Sequence, residues 1–317
     1  GKFYKLKLKT WKNEFLSDVC RSYKVSNIYQ HTNQHISTSA TLSIIVLFID
    51  LLYGVKMSSS VHKYDSAKHL NAMKNLHIVN LFQLSGKVAV VTGGSRGIGM
   101  MMAKAFVDNG AKVYIVSRKK DACDTVAKAL NALDAPGTAV SFPADVGTDA
   151  GCKQLAADIG AREQQVDVLV NNAGLTWGGN FNDFPEHAWG KIFNLNVTAL
   201  FQLSRAFVPL LKRASKGNTD PSHIINVSSV GGNLDSSSKF DNAPSYGASK
   251  AAANKVTQSL AAYLVDDHIN VNCIAPAVFE SKMTYNYQLK TEEGQELSKK
   301  SHPVGRFGSE SDMAGLT

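Results

Sequence analysis

The chain has 317 residues, a formal net charge of +8, 44% hydrophobic residues and 19% charged residues, which suits a sizeable packed core and excludes a disordered or fibrous protein. The charge does not point to nucleic acid. Residues 1–56 hold eight Lys or Arg against Glu14, Asp18 and Asp50, a net +5, so the remainder is mildly basic and carries no nucleic-acid motif.

Within the first 56 residues, Leu42–Val55 is an apolar run of 14 residues interrupted by Asp50, short of the ~20 needed to cross a bilayer. No membrane span is expected, and organelle targeting stays open. Residues 1–56 read as a head that is non-native or disordered, 57–83 as an N-terminal extension opening at Met57, and 84–317 as one domain. Cys20, Cys123, Cys152 and Cys273 have no paired spacing. They predict reduced thiols of an intracellular, cytoplasmic protein, with Cys273 buried in the last strand, and no metal site.

The folded part opens with a strand-like KVAVV, Lys87 to Val91, that runs into TGGSRGIG, Thr92 to Gly99. An apolar helical face follows at Ile98, Met101, Met102, Ala105 and Phe106. Such a strand, glycine turn and helix let a pyrophosphate approach the backbone and meet the unpaired N–H groups of a helix N-terminus. A dinucleotide is the expected ligand. Further strands are predicted at 112–117, 138–144, 166–172, 222–228 and 270–275, after the first at 87–92, with amphipathic helices between them. That alternation is a Rossmann-like, doubly wound parallel α/β sheet in a single domain.

In PSYGASKAAAN, Tyr246 and Lys250 stand four residues apart, which stacks a phenol and an ammonium group on one helix face. A phenol titrates near ~10, so it exchanges a proton near neutrality only if its phenolate is stabilised, and an adjacent cation does so. Chance produces this spacing often; its place in the chain gives it weight.

The ordered motifs TGGSRGIG, Asp145 in PADV, NNAG (Asn171 to Gly174), Asn196 in NLNVTALF, INVSS (Ile225 to Ser229), Tyr246 with Lys250, and IAPAVFES (Ile274 to Ser281) resemble the short-chain dehydrogenase/reductase family. The resemblance covers about Leu84 to Thr317. Within the family, NNAGLTWGG and NCIAPAVFESKMT are most similar to 3-oxoacyl reductases of the bacterial rhamnolipid-pathway type and their fungal relatives.

The resemblance implies a catalytic set. Tyr246 is the proton donor, Ser229 holds the carbonyl oxygen, Lys250 lowers the Tyr246 pKa and binds the nicotinamide ribose, and Asn196 anchors a water that relays protons to Lys250. Ser228 and Ser229 are strand neighbours facing opposite ways, so only one serves; the family's spacing to Tyr246 selects Ser229. The implied cofactor contacts are Gly93, Ser95, Arg96, Gly97, Ile98 and Gly99 in the turn, Ser117 and Arg118 after the second strand, Asp145 and Val146, Asn172, Ala173 and Gly174, Tyr246 and Lys250, and Pro276 and Ser281. Asp145 faces the adenine, with capping of the next helix as its alternative, and Ser281 replaces a threonine that touches the carboxamide.

Where NAD-preferring relatives carry an acidic residue after the second strand, this chain reads VSRKK. Arg96 and Arg118 offer two guanidinium groups to a 2′-phosphate, so NADP(H) is the expected cofactor. Ala277 stands where the family has glycine, which costs cofactor fit if that turn needs positive φ. Trp177 and the segment Val278 to Lys300 are expected to flank the substrate. The family also implies a seventh strand beyond Thr317, so the sheet is expected to end before it, and a homodimer or homotetramer for the full-length protein.

The expected function is NADPH-dependent reduction of a carbonyl to a secondary alcohol, with a 3-oxoacyl thioester or related ketone as substrate. The alternatives are a polyol or secondary-alcohol dehydrogenase, and a catalytically silent dinucleotide-binding sensor, against which the intact quartet Asn196, Ser229, Tyr246 and Lys250 argues.

Overall fold

A computed structural model of the protein describes residues 82–217, 219–233, 243–287, 289–300 and 302–317. The head at 1–56, nearly all of the extension at 57–83, and Cys20 lie outside the described residues. The described residues belong to one compact unit, Asn75–Thr317.

Six parallel strands form the sheet: β1 (Val88–Thr92), β2 (Lys112–Ser117), β3 (Thr138–Pro143), β4 (Val168–Asn171), β5 (Ser222–Val227) and β6 (Ile269–Ile274). Their order is β3-β2-β1-β4-β5-β6. Between them run α1 (Gly97–Asp108), α2 (Lys120–Asn131), α3 (Asp149–Gly160), α4 (Glu186–Phe193), α5 (Ala199–Ala214) and α6 (Pro244–Leu264), followed by α7 (Lys282–Tyr287), α8 (Glu292–Lys300) and α9 (Glu310–Ala314). All six predicted strands are present. β4 is shorter than expected because Asp167 takes a ladder position with its side chain: Oδ2 accepts from Val88 N at 2.9 Å.

The apolar runs explain the double winding. In β1, Val88 and Val90 enter one core with α3, α5 and α6. Ala89 and Val91 enter the other, with α1, α2 and Met313 of α9. A strand that buries both faces must be apolar at every position, which is why KVAVV shows no alternation. The strand order reverses at β1, between β2 and β4, and this places a crevice at the carboxyl ends of these strands.

Cys273 departs from expectation. It is partly exposed on β6, the last strand of the described sheet, and its Sγ reaches Asn254 Oδ1 at 3.3 Å. Among the described residues, no helix is long and apolar enough to cross a membrane.

Candidate active site

The crevice is built on a glycine turn. Thr92, at the end of β1, donates its hydroxyl to Val170 O at 3.0 Å and accepts from Asn172 N and Ala173 N, both at 3.1 Å. Asn172 returns a bond from Nδ2 to Thr92 O at 2.9 Å. These bonds hold NNAG against the turn. Gly97 has φ +53, a conformation side chains disfavour. A Cβ on Gly99 would collide with Asn172 Nδ2 and lie 2.6 Å from Gly93 O, so any residue larger than glycine displaces backbone there.

Arg96 precedes α1 in an extended conformation and gives no side-chain cap. The N–H groups of the first turn are thus left for an anion from outside. Arg96 and Arg118 are both exposed, and neither joins an ion pair among the described residues. The Ser117 hydroxyl sits 3.0 Å from Cys123 Sγ. The cradle of glycines, the uncapped helix end and two uncommitted guanidinium groups fit a phosphorylated dinucleotide.

Asp145 is exposed, and its Oδ1 accepts from Gly147 N at 2.9 Å. It does not cap α3: Thr148 does, accepting from Gly151 N at 3.0 Å. Val146 beside it is buried. Ser281 lies 3.4 Å from where a Cβ of Gly97 would stand, which joins the far end of the IAPAVFES segment to the turn. Its hydroxyl is shared with Thr284, 3.1 Å away. Thr284 escaped the sequence reading, although SKMT has the spacing of a helix-start hydroxyl pair. Ala277 has no positive φ. The expected penalty for its methyl group is absent.

The catalytic candidates converge at the end of β5 and the start of α6. Lys250 is buried; its Nζ donates to Val227 O at 2.7 Å and lies 5.6 Å from the Tyr246 ring centroid. Ser229 turns to Tyr246 and accepts from Gly231 N at 3.2 Å. Ser228 points the opposite way, buried, and donates to Lys250 O at 3.0 Å. The expected opposition of the two serines is therefore present. Gly232, not singled out from sequence, lets its turn lie on α6: a Cβ there would be 2.6 Å from the Lys250 carbonyl carbon.

Asn196 sits in a π-helical turn, Asn194–Thr198, a feature that recurs at functional sites. Its side-chain amide is bonded at both ends: Oδ1 accepts from Leu175 N at 3.0 Å, and Nδ2 donates to Leu175 O at 3.0 Å and Ser249 Oγ at 2.9 Å. Ser249 in turn donates to Tyr246 O at 2.7 Å. Gly174 faces the same space; a Cβ there would lie 3.2 Å from Asn196 Oδ1 and 3.7 Å from Lys250 Nζ. Trp177 packs edge-on against His187 of α4, with centroids 5.2 Å apart.

The electrostatics differ from the sequence expectation. Burial raises the Tyr246 pKa above the ordinary phenol value and the Ser229 hydroxyl partly opposes it. Burial instead dominates the lysine too, bringing its pKa down to about 8.

The short chain dehydrogenase family profile matches residues 87–292. This chain belongs to that family. Its members are oxidoreductases, and the match spans every strand and both halves of the site. The chain is 40% identical over 235 residues to the rhamnolipids biosynthesis 3-oxoacyl-[acyl-carrier-protein] reductase of Pseudomonas aeruginosa, covering 74% of this chain and 89% of that one. It is 31% identical over 280 residues to the short-chain dehydrogenase/reductase VdtF of Byssochlamys spectabilis, covering 76% and 88%. Among solved structures, the Pseudomonas aeruginosa RhlG/NADP active-site complex superposes with a TM-score of 0.70 at 40% identity, covering 74% of this chain and 89% of that one.

Proposed function

We propose that the protein is an NADPH-dependent reductase that converts the ketone of a 3-oxoacyl thioester, or a related ketone, to a secondary alcohol. The observation that carries this reading is the convergence of Ser229, Tyr246 and Lys250 beside the Asn196 turn, on the same crevice as the glycine turn. The names of the relatives at 40% and 34% identity, both 3-oxoacyl-[acyl-carrier-protein] reductases, support the substrate class, and the NADP complex of the similar structure supports the cofactor.

The turn Gly93–Gly99 would hold the pyrophosphate, with Arg96, Ser117 and Arg118 at the 2′-phosphate, Asp145 and Val146 at the adenine, Asn172 to Gly174 as the floor, and Pro276 and Ser281 at the nicotinamide. When bound, NADPH supplies two electrons and a hydrogen to the carbonyl carbon. The protein handles the charge that grows on oxygen. Ser229 donates a hydrogen bond to that oxygen, and Tyr246 transfers its phenolic proton to it. Because burial keeps Tyr246 protonated through neutral pH, the acid form needed for reduction is the resting form. Lys250 lies over the ring and holds the positive charge beside it. The Asn196 side chain is tied to Leu175 and Ser249, which fixes the turn at which Asn196 would hold the relaying water.

Oxidation of NADPH by the full chain, measured against 3-oxoacyl thioesters, simple diketones and ketoses, tests the reading. Turnover highest on the thioesters supports it. Highest turnover on ketoses or secondary alcohols would favour a polyol or alcohol dehydrogenase, and tight NADPH binding with no turnover on any carbonyl would favour a sensor.

A further inference from the structure

The segment after β6 is fastened at both ends. Ser281 abuts the glycine turn at Gly97. Three residues earlier, the Val278 carbonyl accepts from Gly308 N at 2.9 Å, and the Val278 N–H donates to Nε2 of His302 at 3.2 Å. The other ring nitrogen, Nδ1, lies 2.5 Å from the Ser298 carbonyl in the last turn of α8. A carbonyl only accepts, so Nδ1 carries the hydrogen and Nε2 the lone pair. Only the neutral imidazole satisfies both partners. The imidazolium has hydrogens on both nitrogens and sets N–H against the N–H of Val278.

We infer that neutral His302 is a positioning residue: it ties the end of α8 to Val278, fixing the Pro276–Ser281 backbone against the dinucleotide turn, and protonation releases that tie. This rests on the reading that the segment borders the cofactor. Among the described residues, the charged groups on the neighbouring elements are paired with one another or exposed. Lys299 pairs with Glu296 on α8 at 3.2 Å, and Arg306 pairs with Asp312 of α9 at 2.6 Å. Glu280 and Lys282, on the segment itself, and Lys300 on α8 are exposed. The sign follows: the tie is present with the neutral imidazole and lost on protonation, so it weakens as pH falls.

Hydrogen exchange of the full chain without cofactor, at about pH 5.5 and about pH 7.5 with intrinsic rates corrected, reads the Val278 amide directly. In the parent it should lose on the order of fivefold protection at the lower pH, the worth of one net hydrogen bond. His302→Gln, which can donate and accept but does not titrate, should show equal protection at both pH values. Unchanged protection in the parent, or the parental pH dependence persisting in His302→Gln, overturns the inference. NADPH titration at the same two pH values tests the positioning: affinity should fall more with acid in the parent than in His302→Gln, and equal falls overturn that role. A parent that binds no NADPH at either pH overturns the cofactor reading instead, while the amide measurement still decides the tie.

Discussion

Lys250 Nζ lies 5.6 Å from the centroid of the Tyr246 ring while donating to Val227 O at 2.7 Å. One turn of α6 thus sets a buried cation against a part-buried phenol at the end of β5. A cation near an aromatic face contributes most when both are desolvated; here the cation is buried and the ring partly so. The pair is costly to the empty protein, since burial disfavours the charged form of each group.

The first expectation concerns Tyr246→Phe. The substitution keeps the ring under Lys250 and removes the transferable proton, so turnover should fall by about 10²- to 10⁴-fold, typical of a lost general acid. NADPH affinity, read by fluorescence titration, should stay near the parental value. Near-parental ketone reduction by this variant would refute the proton-donor role.

Lys250→Met separates stability from function. Below its folded pKa of about 8 the parent carries a buried cation, and the variant escapes that cost. Between about 8 and the ordinary lysine value of 10.5, the folded parent has released the proton while the unfolded chain retains it, so the parent gains stability as pH rises. Without cofactor, Lys250→Met should therefore be at least as stable as the parent at neutral pH, and its advantage should shrink across that window. Denaturant unfolding at several pH values checks this; a gap that widens with pH contradicts the assignment. Reduction should be lost at every pH.

The fold was legible because its signals are local and repeated. KVAVV followed by glycines and an apolar helical face could become little other than β1, the turn and α1, and the six strands fell within two residues of their predicted bounds. What sequence could not supply was the state of buried groups. The spacing of Tyr246 and Lys250 suggested a cation that lowers a phenol pKa, whereas the burial of Lys250 and the partial burial of Tyr246 make desolvation the leading effect on each. The same applies to Asn196, whose amide is committed to Leu175 and Ser249 across a π turn that no periodicity announces. Ala277 was flagged from the family's glycine, and only the backbone shows that its φ is ordinary. Thr284, Gly232 and His302 went unseen since each acts through a contact distant in sequence or with a neighbour's backbone.

Arg118→Asp tests the charge argument for the cofactor. The parent should bind NADPH at least about tenfold more tightly than NADH, a difference of only ~1.4 kcal/mol. The variant sets a carboxylate where a 2′-phosphate is expected and offers an acceptor for ribose hydroxyls, so the preference should swing toward NADH. Arg118 is exposed and joins no ion pair among the described residues, so the thermal midpoint should not change. Equal affinities of the parent for the two cofactors would remove the basis for naming NADPH.

His268 provides a stability test remote from the chemistry. It has φ +54 and ψ +41, the sole non-glycine residue with positive φ among the described residues. The conformation is imposed by the turn that leads from α6 into β6. His268 N donates to Val265 O at 3.0 Å, and its carbonyl accepts from Ser222 N at 3.3 Å and Ser215 Oγ at 3.0 Å. All three bonds use its backbone, and the imidazole is exposed. A left-handed residue with a Cβ costs roughly 1–2 kcal/mol, against which glycine adds up to about 1 kcal/mol of unfolded-state freedom. His268→Gly should thus be neutral to stabilising by up to about 1 kcal/mol. His268→Val, with two heavy atoms on Cβ, should destabilise by more than the parent's own strain. Thermal unfolding of the two variants beside the parent decides it: a valine tolerated as well as glycine would show that the turn relaxes out of the left-handed region.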